Sequence, residues 1–187
     1  MSWLSYLQPD LILGGPILGL TPEILQKYQI RGLVLDVDET LVPLRSQEAS
    51  AELREWVEQI RQVVSLWLVS NNLSESRIRS IANSLNLPYI LAASKPSRRK
   101  LKQAATAMNL PVEQVAMVGD RLFTDVLAGN RLGMFTILVE PMVDPSVTEP
   151  SYPTHDFEVW LTQALGVSIP AQKQNFKKHD ESRKSET

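Results

Sequence analysis

Hydrophobic positions along the middle of the chain alternate between two periods. Leu53, Trp56, Val57 and Ile60 fall at i, i+3, i+4 and i+7, which sets them on one face of a helix. Ile78, Ile81, Ala82 and Leu85 repeat that spacing, with Ser74 placed to cap the helix start, and Leu101, Ala104, Ala105 and Met108 repeat it again. Between these faces lie short, mostly apolar runs at 63–69, 89–92, 115–118 and 135–139, suited to buried strands. Two helix patterns stop at the same tripeptide, Asn86-Leu87-Pro88 and Asn109-Leu110-Pro111, because proline cannot continue a helix. Strand and helix in alternation predict βαβ units and a parallel sheet covered on both faces, an α/β protein built as a three-layer α/β/α sandwich.

The ends of the chain read differently. Residues 141–153 contain four prolines and are expected to form a surface loop, followed by a short helix at 157–165 packed back on the core. From residue 171 the chain is polar and charged, which predicts disorder. The expected organisation is a lead-in segment at 1–30, a main domain at 31–168 and a disordered polar tail at 169–187.

Composition narrows the function. The 187 residues, 43% of them hydrophobic, are enough for one domain with a full core. There is no cysteine, so disulfides, thiolate metal sites and cysteine nucleophiles are excluded. With 19 basic and 21 acidic residues the net charge is −2, which argues against stable nucleic-acid binding. The uncharged run at 11–20 is too short to span a bilayer, which needs about 20 apolar residues. Met1-Ser2-Trp3-Leu4 carries no basic region of a secretory leader, so a cytoplasmic location is expected. The apolar and aromatic residues of the lead-in, Trp3, Leu4, Tyr6 and Leu7 with Leu11, Ile12, Leu13, Ile17 and Leu18, either pack on the sheet or touch a membrane peripherally.

The chemistry is concentrated where apolar runs end. Leu33-Val34-Leu35 leads into Asp36-Val37-Asp38-Glu39-Thr40, and residues i and i+2 of a strand point the same way, so Asp36 and Asp38 can face one small volume. Leu66-Trp67-Leu68-Val69 ends in Ser70-Asn71-Asn72, a third apolar segment is followed by Ser94-Lys95-Pro96, and Val115-Ala116-Met117-Val118 ends in Gly119-Asp120 with Asp125 beyond. Taken singly, Ser70 reads as a turn cap, Lys95 as a surface lysine and Asp125 as a first-turn helix acid. Their joint placement at strand ends, the edge where open parallel sheets bind ligands, makes them a candidate site.

In this order the residues Asp36-x-Asp38-x-Thr40, Ser70, Lys95 and Gly119-Asp120-xxxx-Asp125 resemble the four motifs of the haloacid dehalogenase superfamily of phosphatases. The chain is most similar to its subfamily IIIA and, within that, to the phosphatidylglycerophosphate phosphatase branch. The resemblance takes in Leu7-Gln8-Pro9-Asp10 and Gly129-Asn130-Arg131-Leu132-Gly133. Glu39 departs from it, standing where that branch more often has Asn, and Asp-x-Asp-Glu-Thr also occurs in the protein-phosphatase branch.

The resemblance implies a Rossmannoid sheet and a phosphomonoesterase in which Asp36 attacks phosphorus and Asp38 serves as acid and then base. It implies Mg²⁺ held by the Asp36 and Asp120 carboxylates and the Asp38 carbonyl, in keeping with an all-oxygen ligand set. Asp125 would support the metal or orient Lys95. Ser70, Asn71 and Lys95 would bind the phosphoryl group, with Thr40 bracing the first motif against it. Related enzymes that enclose small substrates insert a cap domain between the first and second motifs or between the second and third. Here these intervals are 34 and 25 residues, with no room for one. An uncapped site suits a phosphate carried on something large, above all a phosphorylated lipid at a membrane surface. The alternatives are a phosphoprotein, nucleic-acid ends or a soluble metabolite, and, in another class, a non-enzymatic phosphate-accepting switch, which Asp38 argues against. His155 and His179, in the loop and tail, are given no catalytic role. Arg98-Arg99-Lys100, in a helix's first turn where the macrodipole disfavours cations, are expected to face lipid headgroups or the second phosphate of a diester.

Overall fold

The structure is a computed structural model and describes residues 3–142. The helix expected at 157–165, the polar tail, His155, His179 and nearly all of the proline-rich loop lie outside the described residues.

Six strands form one parallel sheet: β1 (Leu11–Ile12), β2 (Gly32–Leu35), β3 (Ser65–Val69), β4 (Tyr89–Ile90), β5 (Val115–Gly119) and β6 (Phe135–Leu138), in the spatial order β1-β6-β5-β2-β3-β4. The helices are α1 (Pro22–Lys27), α2 (Ala51–Ile60), α3 (Glu75–Leu85), α4 (Arg99–Ala107) and α5 (Leu127–Leu132). Alternation along the strands sends Leu33 and Leu35 into a core shared with α2 and α3, and Val34 and Met117 into a second core shared with α4 and α5. Each fully buried Leu or Ile, such as Leu53, Ile78 and Leu101, stabilises the fold by roughly 1.5–3 kcal/mol.

The two Asn-Leu-Pro stops share one geometry. Asn86 and Asn109 take left-handed conformations, with φ of 49° and 55°. The following leucine N–H groups then turn back to Ala82 O at 3.0 Å and Ala105 O at 3.3 Å, closing the last helical turn. Two local expectations need correction. Ser74 precedes α3, but its side chain accepts no capping bond, and its own N–H binds Asn72 Oδ1 at 2.8 Å. α4 ends at Ala107, so Met108 serves as its cap residue.

The lead-in adds a strand and a helix that hydrophobic period alone did not reveal. Leu7, Ile17 and Leu20 are buried, and Trp56 Nε1 donates to Leu20 O at 2.9 Å. Asp10 Oδ2 accepts from the Thr136 N–H at 2.8 Å, while Asn130 Nδ2 donates to Tyr6 O and Gln8 O, both at 2.8 Å. The two stretches of resemblance outside the four motifs are thus bonded to each other or close by, and they tie the lead-in to α5 and β6.

From β2 the chain runs outward through β3 to β4, then crosses back to β5 on the other side of β2. That reversal opens a crevice at the carboxyl ends of β2 and β5, where ligands of open α/β sheets bind. Among the described residues no extra domain is inserted between β2 and β4.

Candidate active site

Asp36 directly follows β2 and remains in register, its N–H bound to Val118 O at 3.0 Å. The chain then coils tightly. Leu41 and Val42 N–H groups both reach Val37 O, and Glu39 adopts a φ of 62°. Ser70 leaves β3, Lys95 arrives from the loop after β4, and Asp120 leaves β5. A π-helical turn, Leu122–Val126, carries Asp125 back over the strand end. Gly119 makes this possible, because a Cβ there would overlap the Asp125 carboxylate.

Lys95 is the centre of one half of the site. Its ammonium is buried, paired with Asp36 Oδ1, 2.6 Å from Asp125 Oδ1 and within 3.3 Å of Val69 O. Carboxylate oxygens of Asp36, Asp120 and Asp125 all lie within 4.8 Å of one another, a grouping able to hold a metal ion. Thr40 Oγ1 donates to Asp120 Oδ1 at 3.1 Å and lies 3.5 Å from Asp36 Oδ2, so this fully buried hydroxyl sits between two of the acids rather than against the crevice. Asp125 Oδ1 is buried, and its partner is the Lys95 ammonium at 2.6 Å. Arg121 N–H donates to the other oxygen at 3.2 Å.

Three crowded carboxylates and one ammonium leave an excess of negative charge out of water. Burial, reinforced by Asp125 and Asp120 and opposed by Lys95, pushes the Asp36 carboxyl up to about 7. Burial and Asp125 raise Asp120 to about 6 against the pull of Arg121. Burial alone would lower Lys95, but the Asp125 and Asp36 charges outweigh it and hold the ammonium above its ordinary range. A divalent cation would relieve the same imbalance without protons.

Asp38 belongs to the other half. Its Oδ1 is paired with Arg77 Nη1, and its Oδ2 accepts from Ser70 Oγ and Asn72 Nδ2, both at 3.3 Å. Arg77 also donates to Ser46 O at 2.8 Å and Pro43 O at 3.2 Å, locking α3 to the loop after β2. Ser70 Oγ accepts from the Asn72 N–H at 2.9 Å. Asn71 uses both ends of its amide on the Lys95 backbone, at 2.8 and 3.2 Å, and so joins the loops after β3 and β4.

Sequence reading missed Arg77, Asn72 and the Arg121–Glu39 ion pair at 2.7 Å. Arg77 had a signal: it is a cation in the first turn of α3, an unfavourable place that calls for an anionic partner. Asn72 and the Arg121–Glu39 pair had none, because their partners lie 34 and 82 residues away.

Comparison with known proteins agrees with this geometry. The family described as HAD-hydrolase-like matches residues 92–147. Probable phosphatase YqeG of Bacillus subtilis is 38% identical over 127 residues, which cover 67% of this chain and 73% of that protein. Phosphatidylglycerophosphate phosphatase 1, chloroplastic/mitochondrial, of Arabidopsis thaliana is 26% identical over 129 residues, covering 64% of this chain but 37% of that protein. The fold is shared with the assigned HAD-hydrolase YfnB of Bacillus subtilis bound to magnesium, at a TM-score of 0.50 and 14% identity over 74% of this chain and 99% of that one. The chain belongs to the haloacid dehalogenase-like hydrolases. Within that class it is a phosphatase.

Proposed function

We propose that the protein is a Mg²⁺-dependent phosphomonoesterase working through an aspartyl-phosphate, and that its substrate is phosphatidylglycerophosphate, released as phosphatidylglycerol. The observation that carries the chemistry is the division of the site into a buried acid cluster around Lys95 and a separately held Asp38. The cluster of carboxylate oxygens and its excess negative charge fit Mg²⁺, held by Asp36, Asp120 and the Asp38 carbonyl with Asp125 in support. When bound, the ion would offset the charge of the phosphoryl oxygens and the acids around them.

Asp36 attacks phosphorus in line with the ester oxygen; the new bond is an acyl-phosphate and the bond that breaks is P–O to the alcohol. Asp38 gives the leaving alkoxide its proton, then takes one from the water that cleaves the acyl-phosphate and frees inorganic phosphate. Lys95 steadies Asp36 in the attacking orientation and faces the charge that develops beside it. The Ser70 hydroxyl lies beside Asp38, suited to the phosphoryl oxygens.

Three observations support a lipid. No cap domain is inserted between β2 and β4 among the described residues, and a relative is a phosphatidylglycerophosphate phosphatase. Leu44 and Leu73 on two loops and Phe123 on the π-helical turn, all exposed, also stand at the catalytic edge, where apolar side chains would meet a membrane. The test is a substrate panel of phosphatidylglycerophosphate, a sugar phosphate, a phosphopeptide and a DNA 3′-phosphate, with and without Mg²⁺. Preference for the lipid, dependent on Mg²⁺ and reduced at least ~10⁴-fold by Asp36→Asn, is the expected result. Preference for another arm would replace the substrate, and full activity of Asp36→Asn would overturn the mechanism.

A further inference from the structure

Four cations surround an open cavity of about 610 Å³ between the start of α4 and the end of α5, lined by Ser97, Arg98, Arg99, Lys102, Arg131 and Leu132. The cavity is braced from both sides. Arg98 Nη1 donates to Arg131 O at 3.1 Å, and Arg131 Nη1 donates to Pro96 O at 3.3 Å, so each arginine is anchored to the other's element. No carboxylate lines it, and among the described residues none of the four cations forms an ion pair.

This is an unusual concentration of charge for a chain whose net charge is −2. The four groups repel one another. Three of them sit at the positive end of α4, where no side chain caps the first turn. An arrangement that opposes its own folding on both counts is relieved by an anion, and guanidinium groups match phosphate oxygens in geometry. The lining differs from the sequence expectation, since Lys100 takes no part and Lys102 and Arg131 do. Lys95, three residues ahead of Arg98, turns inward to Asp36 and Asp125 and does not line the cavity.

We infer that this cavity is a binding site for a phosphate-bearing anion, distinct from the catalytic acids. The site does not depend on which phosphomonoester is hydrolysed. Its ligand is either a phospholipid headgroup in a membrane or a soluble phosphate, which share the chemistry the four cations recognise.

The test uses the full chain. Co-sedimentation with vesicles of phosphatidylcholine, alone or mixed with phosphatidylglycerol, measures the headgroup arm, and calorimetric titration with inorganic pyrophosphate measures the soluble arm. The double variant Arg99→Glu/Lys102→Glu is expected to weaken the operative arm at least ~10-fold. The milder pair Arg99→Gln/Lys102→Gln should give an intermediate loss and guards against a folding defect, which circular dichroism monitors. Binding to anionic vesicles alone identifies a headgroup; binding of pyrophosphate as well identifies a general phosphate site. If the unaltered protein binds neither, or if both double variants bind as it does, the cluster is only a solvated charged face and the proposal fails.

Discussion

Asp36 and Asp38 are separated by one residue yet occupy opposite environments. Asp36 is buried among two other acids and answered by a single ammonium, whereas Asp38 is held by a guanidinium, a hydroxyl and an amide on the side of α3. The difference comes from what each neighbouring strand delivers: β5 and the loop after β4 supply the acids and Lys95, and β3 with α3 supplies Ser70, Asn72 and Arg77. Identical side chains acquire different chemistry from their surroundings, which is how two carboxylates divide nucleophilic and proton-transfer work.

The comparison can be broken most severely at Lys95. Lys95→Met leaves three buried carboxylates without their ammonium, and a loss of about 3–5 kcal/mol of stability at neutral pH is expected in urea unfolding without metal, together with loss of activity. On the other side, Arg77→Ala should free Asp38 without disturbing the acid cluster. A fall in kcat of about 10²-fold is expected, with the thermal stabilisation by Mg²⁺ unchanged. An unchanged kcat, or a lost metal response, would show that the two halves are not separate.

A smaller effect distinguishes the halves by pH. Asp36 and Asp120 have pKa values raised in the fold to about 7 and about 6, above the ordinary carboxylate value of 3.8. The metal-free fold therefore binds more protons than the unfolded chain, and the stability linked to these groups is full below about 4 and declines as pH rises through 6 and 7. Mg²⁺ competes with those protons, so its stabilising shift in Tm is expected to be larger at alkaline than at acidic pH. A shift independent of pH would contradict the placement of the ion among these acids.

Much of this was legible in the chain. The period of the apolar positions revealed α2, α3 and α4 and the strands between them, since each packs through its own regular face. The Asn-Leu-Pro stops were equally plain, because Asn tolerates the left-handed turn that Leu or Val would resist. β1 was not visible, as two residues carry no period and only pairing with β6 makes them a strand. The acid cluster was legible because strand ends concentrate it. The hold on Asp38 was not: Arg77 lies 39 residues further on and comes into contact only once α3 has docked. The bonds by which Thr40 and Asn71 join the loops of the site, to Asp120 and to the Lys95 backbone, were likewise not legible, because those partners lie far along the chain.

The division of labour is tested most directly by rapid quench of Asp38→Asn with an aryl phosphate, whose leaving group needs little protonation, followed by borohydride reduction and mass spectrometry. Without its base the enzyme should accumulate an acyl-phosphate, which reduction converts to homoserine at residue 36 alone and only when Mg²⁺ is present. Homoserine at any aspartate other than residue 36, or no trapped residue while phosphate is still released, would contradict the account.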